Sequence, residues 1–122
     1  MTRWLIFIIF CLLMAWPRTG HTNQLLTNRN AQQVDFEKLA DAIKKAEGNE
    51  NYGILAHYRH TSYRQACINT CKHKYRQWAS NSKIKVSYME YLASQYAPVG
   101  ASNDLHNLNR NWLSNVRYFY ER

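Results

Sequence analysis

The feature that most limits this chain is at its start. Arg3 is followed by thirteen uncharged residues, Trp4 to Trp16, rich in Ile, Leu and Phe, and Pro17 then breaks the run before Thr19, Gly20 and Thr22. A positive residue, a greasy stretch and a small-residue region, in that order, predict a secretory signal peptide over residues 1–22. The run is shorter than the roughly 20 residues that a spanning helix needs. The expected location is therefore outside the cytoplasm, periplasmic or secreted, or membrane-tethered if the segment is retained. Of the 122 residues, about 100 remain, enough for one core and too few for two domains. Loss of Arg3 and Arg18 lowers the formal charge from +8 to +6, so the exported part stays basic.

Residues 23–34 lack a clear period and read as a flexible lead-in. From residue 35 to 122 the apolar positions recur at three and four, the pattern of helices. A first helix is expected from Asp35 to Glu47, with Phe36, Leu39, Ile43 and Ala46 inward and Gly48 as a stop. Residues 48–60 read as a loop or a very short β element. Ser62 can cap a second helix, Tyr63 to Ser80, with Tyr63, Cys67, Cys71, Tyr75 and Trp78 on one stripe. A third helix is expected over Val86–Tyr96, with Met89, Leu92, Ala93 and Tyr96 inward, stopped by Pro98 and Gly100. A last one is expected over Leu108–Tyr120, with Leu108, Trp112, Val116 and Phe119 inward. The expected fold is mostly α: about four helices and at most a very short β element.

Two cysteines remain after residue 22, Cys67 and Cys71. Four residues apart on one helix, they are too far apart and wrongly angled to bridge each other, which favours two buried free thiols. Pairing with another molecule stays open. His57 with His60, and Cys71 with His73, lack third and fourth ligands, so neither a metal nor any other cofactor is expected.

The residue with most chemical promise is Glu47. It lies on or beside the apolar face of the first helix and in its last turn, at the negative end of the helix dipole. Both surroundings disfavour a charged carboxylate and suit a general acid. A Glu pointing to water at a frayed helix end is the competing interpretation. The helix end Ala46-Glu47-Gly48, followed at once by Tyr52-Gly53-Ile54-Leu55, resembles the lysozyme-like superfamily, especially the lytic transglycosylases. So do the Pro98–Ala101 stretch and the closing Asn111-Trp112-Leu113-Ser114-Asn115-Val116-Arg117. Gly48 stands where those enzymes usually have Ser, Ala56 where they have Gln, and Ala97 where small exported proteins of this layout often have Cys.

The resemblance implies a lysozyme-like domain over residues 35–122 that cleaves peptidoglycan glycan strands, as a lytic transglycosylase or muramidase, with Glu47 as acid. It also implies that Gly53, Ile54 and Leu55 line the sugar cleft. Tyr52, Tyr58 and Tyr96 lie where aromatic faces could carry sugar rings, and Asp104 is a helper acid or, alternatively, a turn residue before the last helix. Two-carboxylate hydrolysis needs a second acid roughly 5–10 Å away. Only Glu50, Glu90 and Asp104 qualify, and residues 51–89 hold no acid at all. A one-Glu mechanism suits that scarcity. In it the Glu acts first as acid and then as base, the substrate's N-acetyl group assists, and a 1,6-anhydro sugar forms.

The same acid-free stretch offers the rival function. Arg59, Arg64, Lys72, Lys74, Arg76, Lys83 and Lys85 are interleaved with Tyr63, Tyr75 and Trp78. Such a surface suits nucleic acid or an anionic polymer. Export demotes nucleic acid. The alternative function is thus a non-catalytic domain that binds an anionic cell-wall polymer or a protein partner through its basic helix.

Overall fold

A computed structural model describes residues 33–122, which lie in one compact unit. The expectations for the signal segment 1–22 and for 23–32 fall outside the described residues. The described part is mostly helical: α1 (Phe36–Glu47), α2 (Tyr63–Ser80), α3 (Tyr88–Tyr96) and α4 (Trp112–Tyr120), with a 3-10 turn, Leu108–Asn111, leading into α4. No strand occurs among the described residues, so the segment after α1 is built from turns. None of these helices is long and apolar enough to cross a membrane.

Three of the four helices begin where a side chain satisfies free backbone N–H groups, and α4, entered from the 3-10 turn, has no side-chain cap. Asp35 Oδ1 accepts from the amides of Glu37 and Lys38 and starts α1. Ser62 Oγ accepts from the Gln65 amide and starts α2. Ser87 and Glu90 form a reciprocal capping box that starts α3. That box explains why α3 opens at Tyr88 rather than at Val86. Gly48, at φ 68°, ends α1, a left-handed conformation that glycine adopts at little cost.

α1 packs on α2 and α4, and α3 packs on α2 and α4. The core between them holds Leu39 and Ile43 of α1, Cys67, Cys71 and Trp78 of α2, Tyr88 and Leu92 of α3, and Trp112 and Val116 of α4. Two expected stripes are shifted. In α3 the fully buried pair is Tyr88 and Leu92, while Met89, Ala93 and Tyr96 are only partly buried. Tyr88 can go inside because its hydroxyl donates to the Cys71 carbonyl at 2.8 Å. Leu108, expected inward, is 65% exposed, because residues 108–111 form the 3-10 turn and the α-helical stripe starts only at Trp112. Tyr63 likewise sits at the exposed edge of the α2 stripe.

Both cysteines are buried free thiols. Cys71, donating to Cys67 and shut away from water, is pushed above the usual thiol range. Cys67 moves the other way: it receives a hydrogen bond from Cys71, and this outweighs its burial. The chain ends of the domain are tied together, since the Asp35 amide donates to the Tyr120 hydroxyl at 3.1 Å.

Candidate functional site

Glu47 is the last residue of α1, and its half-buried side chain borders a cleft of about 480 Å³. The opposite wall comes from the loop before α4, with Asn103, Asp104, Leu105 and His106, and from Asn111, Trp112 and Asn115 at the start of α4. The turn signals in the 101–107 segment thus supply one side of the cleft, and α1 supplies Glu47.

The carboxylate is held, not free. Trp112 Nε1 donates to Glu47 Oε1 at 2.7 Å, a short bond that fixes the carboxyl plane. Trp112 is itself held by stacking on Tyr96, with ring centroids 5.3 Å apart and planes 24° from parallel. Tyr96 is anchored in turn: its hydroxyl donates to the Tyr52 carbonyl at 2.5 Å and lies 3.4 Å from Cys67 Sγ. On the remaining side lies Gly53, in a tight turn where Tyr52 and Gly53 both have positive φ, 55° and 72°. A Cβ at Gly53 would sit 2.8 Å from Tyr96 Cε1 and 3.1 Å from Glu47 Oε1. Glycine is needed there both for its φ and for the close approach.

The three carboxylates that could assist Glu47 are all engaged elsewhere. Glu50 is exposed and pairs with Lys44 at 2.8 Å, a contact that raises the lysine's affinity for its proton. The Glu90 carboxylate takes hydrogen bonds from the Ser87 hydroxyl and amide, which hold it below its usual range. Asp104 does share the cleft with Glu47. Its Oδ2 accepts from the Gly100 amide at 3.1 Å and its Oδ1 from the Asn109 amide at 3.2 Å, so it pins the loop. Glu47 Oε2 accepts no hydrogen bond among the described residues.

Of the residues named from sequence, Glu47 and Asp104 line the cleft, whereas Gly53 and Tyr96 adjoin one another beside Glu47 without lining it. Tyr52 is buried and reaches the group through its backbone carbonyl, not its ring face. Its ring lies under Lys44 Nζ, 5.6 Å from the ring centroid, on the other side of the α1 terminus. Ile54 packs against the core, and Leu55 is 86% exposed. Tyr58 lines a separate groove along α2 with Thr61, Asn69 and His73.

Sequence reasoning overlooked the cleft role of Trp112, which reads from its stripe as core alone, and of His106, Asn111 and Asn115. The density of asparagine from 103 to 115 was the available signal. Carboxamides that donate and accept at once suit a ligand rich in hydroxyl and amide groups. No family model matches this chain, and no curated protein or solved structure matches it.

Proposed function

We propose that this protein is an exported peptidoglycan-cleaving enzyme of the single-Glu, lytic transglycosylase type, with Glu47 as its acid. One observation carries the reading: Glu47 borders the cleft with one oxygen fixed by Trp112 and the other without a hydrogen bond among the described residues. A general acid needs that combination, because its proton must meet the glycosidic oxygen in one geometry.

The surroundings favour one carboxyl rather than two. Asp104 has both oxygens committed to backbone amides, which suits a loop anchor better than a nucleophile or base. Glu47 would protonate the leaving oxygen and then, as carboxylate, take the proton of the attacking hydroxyl. The substrate's own N-acetyl group would cover the positive charge in between, and a 1,6-anhydro sugar would leave. Asn103, Asn111 and Asn115 offer carboxamides to the sugar's hydroxyl and acetamido groups. Leu105 and Leu108, exposed at the mouth, offer an apolar face to a ring.

The test is Glu47→Gln. It should abolish release of anhydro-muropeptides from purified peptidoglycan while leaving the helical circular dichroism and thermal midpoint nearly unchanged. Equal release by the variant would overturn the reading.

A further inference from the structure

The charges of the described domain are segregated. Residues 51–89 carry seven cations and no carboxylate, whereas 33–50 and 90–122 together carry six cations and eight carboxylates. The cleft, with Glu47 and Asp104, therefore belongs to the part of net negative charge. All the excess positive charge is on α2 and the segments beside it. Among the described residues only one of the seven cations has an ion-pair partner: Arg64 lies against Asp41 at 3.0 Å and near Glu37 at 3.6 Å.

Four of the others, on the second half of α2 and the connector after it, are exposed. Lys72 and Arg76 are one turn apart on the solvent side of α2. Lys83 and Lys85 follow in the connector, which is folded back onto the helix because Trp78 Nε1 donates to the Val86 carbonyl at 2.9 Å. None of the four has an ion-pair partner among the described residues. Glu90, the next carboxylate along the chain, is occupied by the α3 cap. The outer face of a helix, with cations at several depths along it, suits an extended polyanion better than a small anion. A small anion would need convergent donors in a pocket.

We infer that Lys72, Arg76, Lys83 and Lys85 form a second binding surface, distinct from the cleft, that holds the carboxylate-bearing stem peptides of the peptidoglycan strand. The identity of the polymer rests on the function proposed for the cleft; the surface itself rests on the charge segregation. Its work is retention: it keeps the enzyme on an insoluble anionic substrate between cuts, through contacts that salt weakens.

The experiment is co-sedimentation of the full-length protein, in mild detergent, with purified peptidoglycan sacculi, either native or with their carboxyls converted to neutral amides. The four-site variant Lys72→Gln, Arg76→Gln, Lys83→Gln, Lys85→Gln should bind native sacculi about tenfold more weakly, the sum of several modest exposed charge contacts. Amidated sacculi should weaken the wild type by a similar factor. Added salt should release the wild type and have little effect on the variant. Unchanged sedimentation of the variant, or indifference to amidation, overturns the inference, as does tighter retention on DNA or on anionic vesicles than on sacculi. The two proposals fail separately. If Glu47→Gln stops cleavage but the four-site variant still binds, the surface is refuted and the cleft stands. If Glu47→Gln still cleaves but the four-site variant loses binding, the cleft is refuted and the surface stands.

Discussion

Trp112 Nε1 and Glu47 Oε1, 65 positions apart in the chain, are joined by a 2.7 Å hydrogen bond that connects the start of α4 to the end of α1. It closes a sequence of contacts in which Cys67 and the Tyr52 carbonyl hold Tyr96, Tyr96 stacks on Trp112, and Trp112 orients the Glu47 carboxyl. Trp112→Phe keeps a ring against Tyr96 and removes only the N–H. The variant should lose about 1 kcal/mol of stability, the size of a typical hydrogen bond. Under the proposed function, peptidoglycan cleavage should fall by about a hundredfold, because the Glu47 carboxyl loses its fixed geometry. Urea denaturation and the release of soluble muropeptides measure the two effects.

Glycines 48 and 53 should respond differently to alanine. Both have positive φ, but a Cβ at Gly48 meets nothing within 4 Å, whereas at Gly53 it meets Tyr96 and Glu47. Gly48→Ala should cost about 1 kcal/mol, from backbone strain alone. Gly53→Ala should cost about 2 kcal/mol or more and push the Glu47 carboxyl aside, so activity falls further than stability. Comparing both variants by urea denaturation and by turnover separates strain from displacement of the acid.

Asp104→Ala removes two side-chain bonds that help close the 100–109 loop. The loop should become a preferred site for limited proteolysis, and stability should drop by about 1 to 2 kcal/mol. Cleavage should weaken through poorer substrate binding, with the rate at saturating substrate largely kept. Complete inactivation with an intact loop would instead make Asp104 part of the chemistry.

Alkali should unfold the domain. Burial raises the Tyr88 and Tyr96 hydroxyls above their usual range, and Cys71 is raised by its bond to Cys67 together with burial. These three groups keep their protons in the folded state and lose them in the unfolded chain, from about pH 9 for a thiol and about pH 10 for a phenol. Above those values the unfolded state binds fewer protons than the folded one, so stability decreases as pH rises; below them the contribution is fully present. Cys67 shifts the opposite way and offsets part of this. Thermal midpoints should fall steadily above about pH 9. A spectroscopic tyrosine titration should show two residues that ionise only as the protein unfolds.

Local patterns were enough to determine much of this protein. Asp35, Ser62 and the Ser87–Glu90 pair start helices because their side chains satisfy neighbouring amides, and Gly48 stops one because its φ is positive. Those interactions span a few residues, so they are written in the sequence, as is the segregation of charge between 51–89 and the rest. Glu47 stood out for the same local reason, as a carboxylate on the apolar side of a helix end. What holds Glu47 came only with the tertiary structure. The apolar period marks Trp112 and Tyr96 as inward, yet it cannot say that one indole N–H meets a carboxylate from another helix. It likewise cannot say that Tyr52 contributes a carbonyl rather than a ring face, or that Asp104 spends both oxygens on its own loop. Those outcomes depend on how α1, α3 and α4 pack, since a buried polar group takes whichever partner the packing brings within reach.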